Sequence, residues 1–338
     1  MKNMKKYILG INLPIKARCH ESGVALIDEE GNVVFAAAEE RFSRKKLDGD
    51  FPVLSIKKML EFTGIKKEEI EYVVVPTVNN IGKFLRFAEF IFKERLGHLL
   101  RPITYKVFYK LFLSEKNASK IKDQEEEGEF KMKYFWKDFI KQNFPKAKIA
   151  KVDHHIAHAS GAYFTSPWEN ALIVTMDGAG NFLSSMVAAG KSGKIKKIAK
   201  TFIPHSAGVF WGSVTKVCGF KSGTRHGGKV TGLAASGDPN KLIDKFRQVI
   251  KCEGLRLKAK EELFFDSSKL IPDWGNYEPE RLKIFLGEST REDVAAGAQK
   301  RLEEVAVELI SNALNKTGLD KVVLAGGVFA NVLLNQKI

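Results

Sequence analysis

Two imidazoles at helical spacing and a carboxylate at a strand end are the residues of this chain whose types and positions could do chemistry. In the run HHIAHASGAYF, His154 and His158 stand four apart, so a helix would put both rings on one face, about one 5.4 Å turn apart. Nineteen positions after His158, Asp177 closes the apolar run ALIVTMD at the glycine-rich turn DGAGN. Two neutral imidazoles and one carboxylate suit a divalent transition metal, and such a cation can also hold the phosphate oxygens of a nucleotide. The pattern points to an enzyme. His155 projects about 100° away from the other two and is expected to brace the helix or to touch substrate.

These residues need a sheet to carry them, and the pattern supplies one on either side. Tyr7–Asn12, Gly23–Asp28 and Val33–Ala38 read as strands, the last two joined by the turn EEGN; Pro52–Phe62 reads as a helix and Glu71–Pro76 as a buried strand. Strand, strand, strand, helix, strand is how one half of an actin-like ATPase begins. From Asn79 the chain turns basic, aromatic and helical, an insertion placed at 79–146 between two core strands. Lys148–Asp153 then returns to a sheet and delivers the histidine helix. A second block opens with strands at ALIVTMD, LSSMVAAG and KIAKTFI. Helices are expected at Val209–Cys218, Asn240–Lys251 and Arg291–Thr317, and VVLAG is expected to be a central strand buried on both faces. The organisation is therefore 1–78 as a first half, 79–146 as the insertion, and 147–338 as the return strand, metal helix and second half.

Composition narrows the function. The 338 residues suffice for two cores. No 18-residue apolar run is present, so no membrane span or membrane partner is expected, and MKNMKKYILGINLP lacks a small-residue cleavage site, which makes it a strand and not a signal peptide. Cys19, Cys218 and Cys252 are far apart with no C-x-x-C spacing; a reducing compartment, taken as the cytoplasm, and no structural zinc are expected. The net charge of +15 comes from lysines spread along the whole chain, without an aromatic–basic motif. Nucleic acid is thus not the expected partner, and pockets for anionic substrates are.

Six segments in this order, LGIN…HESGVALID, AAEERFSRKK, HHIAH, VTMDGAGN, GFK…GKVTGLAASG and VVLAGGVFANVLLNQKI, resemble the carbamoyltransferase family of nodulation protein U and the cephamycin and tobramycin O-carbamoyltransferases. The resemblance implies an α/β, duplicated actin-like (sugar kinase/actin, ribonuclease H-like) fold. It also implies transfer of a carbamoyl group from carbamoyl adenylate, made from carbamoyl phosphate and ATP in a YrdC-like domain, to a hydroxyl of a small-molecule acceptor. By that resemblance His154, His158 and Asp177 match metal ligands, with iron(II) as the ion. His20 and Lys46 match residues lining the transfer site, and Gly178, Gly180, Asn181, Lys229, Gly326, Gly327 and Asn331 match nucleotide-binding positions.

This sequence departs from the family pattern in three places. Gly227 and Gly228 stand where an acidic–aromatic pair often precedes the lysine, and Leu47 stands where a histidine is usual. The sequence given also stops before the last core strand, a further aspartate ligand and the YrdC-like domain. The expectations drawn from that stop are a C-terminally truncated fold, no carbamoylation by the piece alone, and self-association, most simply as a homodimer, through an uncovered strand edge. Two rival readings are a tRNA threonylcarbamoyl transferase-like enzyme and a non-catalytic actin-like domain that binds nucleotide.

Overall fold

The pleat of YILGIN buries Leu9 and Ile11 on one face and leaves Ile8 and Asn12 exposed, and this strand becomes the centre of the first sheet. The computed structural model describes residues 5–12, 21–76, 136–223, 225–264 and 279–338. They form two compact units, the first ending at Asp153 and the second running from His154 to Ile338. Each has its own sheet and its own core.

In the first unit β1 (Tyr7–Asn12), β2 (Gly23–Ile27) and β3 (Val33–Ala38) form an antiparallel meander, and β4 (Ile70–Pro76) and β5 (Lys148–Val152) continue it in parallel. The strand order is β3-β2-β1-β4-β5. A short helix α1 (Glu40–Ser43) leads to α2 (Val53–Thr63), which lays Ile56 and Met59 into the core and stops at Gly64, whose φ of 68° gives the left-handed turn. A helix at 136–143 adds Trp136 and Ile140, and Phe144 follows it into the same core. Most of the expected insertion, residues 77–135, lies outside the described residues, as does His20.

The second unit repeats the scheme. β6 (Asn170–Gly180), β7 (Leu183–Lys191) and β8 (Lys194–Phe202) are an antiparallel meander, and β11 (Val322–Ala325) pairs in parallel with the far side of β6, giving the order β11-β6-β7-β8. Strands one to four of the two units thus share one order and one set of directions. That is the duplicated actin-like arrangement, reached here from pairing alone. Residues Ala171–Met176 of β6 are buried without a break, as expected for a strand covered on both faces. The histidine helix (His154–Phe164) and the helix Ala207–Val217 both pack on β6. The helix Arg291–Thr317 spans the unit with the bounds its period predicts. Thr290 Oγ1 caps its start by accepting from the Asp293 N–H at 3.2 Å, and Gly318 at φ 66° ends it.

Three expectations need correction. The helix placed at Asn240–Lys251 is only Ile243–Val249, because Ile250–Glu253 turns into a strand that pairs with Arg256–Ala259 in a small hairpin; Ile250 and Cys252 alternate inward, a period of two inside an apolar run that also fits a helix. The strand VVLAG lies at a sheet edge, with Val322 and Leu324 half-buried, since β6 is its one partner among the described residues. The return strand β5 belongs to the first sheet, where it pairs with β4.

Between β3 and α2 a buried carboxylate does the work of a cap. Glu39 accepts from the Leu54 N–H at 3.0 Å, the Ser55 N–H at 2.8 Å and the Ser55 hydroxyl at 2.6 Å. Glu39→Ala leaves these donors buried and unmatched, and a loss of about 2 kcal/mol in unfolding free energy is expected. Urea unfolding of the variant against the parent measures it; a shift below a few tenths would show that water replaces the carboxylate.

Candidate metal centre

The histidine helix begins where β5 ends, so His154, His155 and His158 occupy its first two turns. His154 and His158 share one face, and that face meets the end of β6. His154 Nε2 lies 2.8 Å from Asp177 Oδ2, His158 Nε2 lies 3.1 Å from the same oxygen, and the two ring nitrogens are 3.1 Å apart. The three are partly exposed, with side-chain accessibilities of 35%, 31% and 26%, so a ligand can reach them.

No placement of protons satisfies all three contacts. If both Nε2 atoms carry hydrogen, the two rings point N–H at N–H; if one is bare, its lone pair faces the carboxylate. A cation satisfies all three at once. Around an ion about 2.1 Å from each atom, such separations subtend roughly 85–95°, one face of an octahedron with the rest of the shell open. The residues present therefore fit a transition metal. Burial opposes the charge on Asp177, but the hydrogen bonds with His154 and His158, and one from the Gly178 N–H at 2.7 Å, outweigh it and hold the carboxyl well below the usual carboxylate range. Asp177 is thus ionised and ready to coordinate.

His155 points the other way and is fully buried. Its Nε2–H donates to the Leu183 carbonyl at 3.0 Å, which leaves Nδ1 to accept from the Thr175 hydroxyl at 2.8 Å. Burial pulls its pKa down to about 4. It braces the helix against β6 and β7, the first of the two roles its direction allowed.

Glycines let these parts close up. A Cβ on Gly180 would stand 2.0 Å from His154 Cδ2, and one on Gly326, at φ 98°, would stand 2.2 Å from the Met176 carbonyl oxygen. One on Gly327 would reach 3.2 Å from Asp177 Oδ1. Gly178, Gly180, Gly326 and Gly327 therefore all gather at the end of β6 beside the metal-ligand candidates. Asn181, at φ 54°, turns the chain from β6 into β7. Asn331 does something else: its Oδ1 caps the last helix by accepting from the Leu334 N–H at 3.1 Å, and its amide pairs with Gln299 at 2.7 and 3.2 Å. Lys229 is exposed, its Nζ 5.8 Å above the Phe220 ring. Lys46 is an exposed residue of the first unit, and the residue after it, Leu47, stands at φ 55° with its N–H donating to Glu40.

Two supporting residues escape a reading of the sequence. Ser206 Oγ donates toward the Asp177 and Gly178 carbonyls at 3.0 and 2.7 Å and accepts from the Val209 N–H, so it caps the helix Ala207–Val217 and ties it to the Asp177 turn. A Cβ on Gly208 would come within 2.4 Å of the Gly178 nitrogen. The available signal was the run SAG before an apolar helix, a capping serine that puts the helix start two residues earlier than expected.

The fold defines an α/β protein of actin-like topology with a candidate metal centre, and the comparisons give its family. Residues 8–338 match the family model described as the carbamoyltransferase N-terminus, and the chain belongs to that carbamoyltransferase family. An uncharacterised protein of Synechocystis, sll1178, is 28% identical over 347 residues, covering 98% of this chain and 52% of that protein. Nodulation protein NolNO of Sinorhizobium fredii is 25% identical over 323 residues, 94% of this chain and 42% of that one. The chain thus spans about half the length of the curated relatives it matches. Among solved structures, HypF of T. kodakarensis aligns over 98% of this chain and 43% of its own at 12% identity and a TM-score of 0.47. No helix among the described residues is long and apolar enough to cross a membrane.

Gly180→Ala is expected to push the His154 ring aside and to weaken metal binding at least about tenfold, while leaving the fold intact; titration with Mn2+ checks it, and an unchanged affinity would mean that His154 does not coordinate. His155 gives a pH signature. Its folded value lies below the free imidazole's 6.5, so the neutral ring contributes stability that is fully present above about pH 6.5 and is lost as pH falls toward 4. Between pH 7 and 5 the parent should lose about 2 kcal/mol more unfolding free energy than His155→Gln, read from paired urea curves.

Proposed function

We propose that this chain is the transfer half of an O-carbamoyltransferase: it holds a metal and a nucleotide-activated carbamoyl group, and passes that group to a hydroxyl of a small-molecule acceptor. The observation that carries the reading is the convergence of His154, His158 and Asp177 at the strand end where two glycine turns meet, in a chain of the carbamoyltransferase family. That the metal is iron(II), and that the donor is carbamoyl adenylate formed from carbamoyl phosphate and ATP in a YrdC-like domain, are parts of the proposal. So is the acceptor's being a small hydroxylated molecule.

His154, His158 and Asp177 would hold the metal, which supplies positive charge for the phosphoryl oxygens of the donor. Gly178, Gly180, Gly326 and Gly327 admit those oxygens close to the backbone, because no Cβ stands in the way. The acceptor oxygen attacks the carbamoyl carbon, the bond from that carbon to the adenylate phosphate oxygen breaks, and AMP leaves. A free imidazole, with its pKa near 6.5, is a fitting acceptor for a hydroxyl proton near neutrality, and the family resemblance gives that part to His20. Lys46 would offset the charge gathering on the departing phosphate.

Elemental analysis and a transfer assay test the reading together. The parent chain, reconstituted with iron(II) or Mn2+, should hold about one equivalent of metal, and replacing His154 and His158 by alanine should reduce it to under about a tenth. With carbamoyl adenylate supplied, carbamoylation of hydroxylated acceptors should fall at least about a hundredfold in the same variant. Unchanged metal stoichiometry in the double variant would sink the metal assignment, and equal turnover would sink its role in transfer.

A further inference from the structure

The edges of the two main sheets are guarded unequally. By strand order, and among the described residues, the edges are β3 and β5 in the first sheet and β11 and β8 in the second. β8 (KIKKIAKTF) carries four lysines and β5 (KIAKV) two, while β11 is only four residues long. Lysines and short length are ordinary means of keeping an edge from pairing with another chain. β3, with its six residues VVFAAA, has no charged side chain and no proline.

Its outward backbone row follows from its pairing. The Glu39 N–H donates to the Ser22 carbonyl at 2.9 Å, so bonding toward β2 alternates from Glu39 to Ala37 and Phe35, and Ala36 and Ala38 turn their N–H and C=O groups to the other side. Val33 and Val34 are 50% and 37% exposed on the same strand. α2 adds Phe62, 79% exposed, with its ring centre 5.9 Å from that of Phe35.

The two ends of β3 are opposite in charge. The turn before it holds Glu29 and Glu30, the segment after it holds Arg41 and Arg44, and all four are exposed. Among the described residues Glu29, Glu30 and Arg44 have no ion-pair partner, and Arg41 has its neighbour Glu40 at 3.8 Å. When a strand pairs antiparallel with its own copy, the start of each lies beside the end of the other. The acidic turn of one copy then meets the basic segment of the other at both ends of the seam. A parallel arrangement would set like charges together.

We propose that β3 is a self-recognition edge: two copies of this chain pair antiparallel through Val33–Ala38, about a two-fold axis near Ala36, and join their first-unit sheets into one. A second copy is the occupant that the charges select, because its own ends supply both complements. The seam is short, so the dimer is weak, with half-dissociation on the order of 10–100 μM.

Sedimentation of the 338-residue chain across a dilution series at low salt tests it. Ala36→Pro removes an N–H that β2 does not use, and is expected to weaken association at least about fivefold with thermal unfolding unchanged. Glu29→Lys with Glu30→Lys, and separately Arg41→Glu with Arg44→Glu, should each weaken it about fivefold. An equimolar mixture of those two double variants should associate as the parent does, since each end of the mixed seam again joins opposite charges. A folding defect would not be rescued by mixing. Ile284→Lys, which replaces a 78% exposed apolar side chain of the second unit, should leave association unchanged. A parent that stays monomeric up to ~500 μM overturns the proposal and leaves the edge to a different chain. Parental association in Ala36→Pro, an equal loss in Ile284→Lys, or no rescue in the mixture would each overturn it as well.

Discussion

A carboxylate at the end of a buried strand can point only where the strand's pleat aims it, and much of the second unit serves to bring partners to that one spot. Asp177 follows six successive buried residues of β6, so its position is as rigid as the core itself. The histidine helix packs along the same strand, with His155 bonded to Thr175 and Leu183. That buried ring fixes the rotation of the helix about its axis, and with it the direction of His154 and His158, which project from the opposite side. One residue of the triplet HHI holds the helix so that its neighbour can act.

Close approach is the second constraint. Gly180 lies under the His154 ring, Gly208 against Gly178, and Gly326 against Met176; a methyl group would overlap backbone atoms at Gly208 and Gly326 and would displace the His154 ring at Gly180. The strand end, the next helix and the turn after β11 thereby come together as bare backbone around Asp177.

Much of this was legible from residue order. The period-two runs gave the strands, the helix Arg291–Thr317 was found to the residue, and the spacing of His154, His158 and Asp177 brought together the atoms that do converge. What escaped had physical reasons. Ile250–Glu253 continues an apolar pattern that suits helix and strand alike, and its fate is set by pairing with Arg256–Ala259. Ser206 and Gly208 matter through a contact with residues nearly thirty positions earlier, which no local pattern encodes. Asn331, matched to a nucleotide-binding position by the family resemblance, also pairs its amide with Gln299 and caps a helix start with its oxygen, a local role that a short polar residue before a helix commonly takes. Lys46 and Lys229 are exposed in separate units, where spacing along the chain says little about neighbours in space.

The repeated strand order makes the two units comparable strand by strand. β6 carries Asp177 three residues before its end, and β1 ends in Asn12, a neutral amide whose nitrogen donates to the Glu21 carbonyl at 2.7 Å. Two sheets of one plan thus differ in charge: the first strand of the second unit carries a carboxylate, and that of the first unit carries no charged side chain.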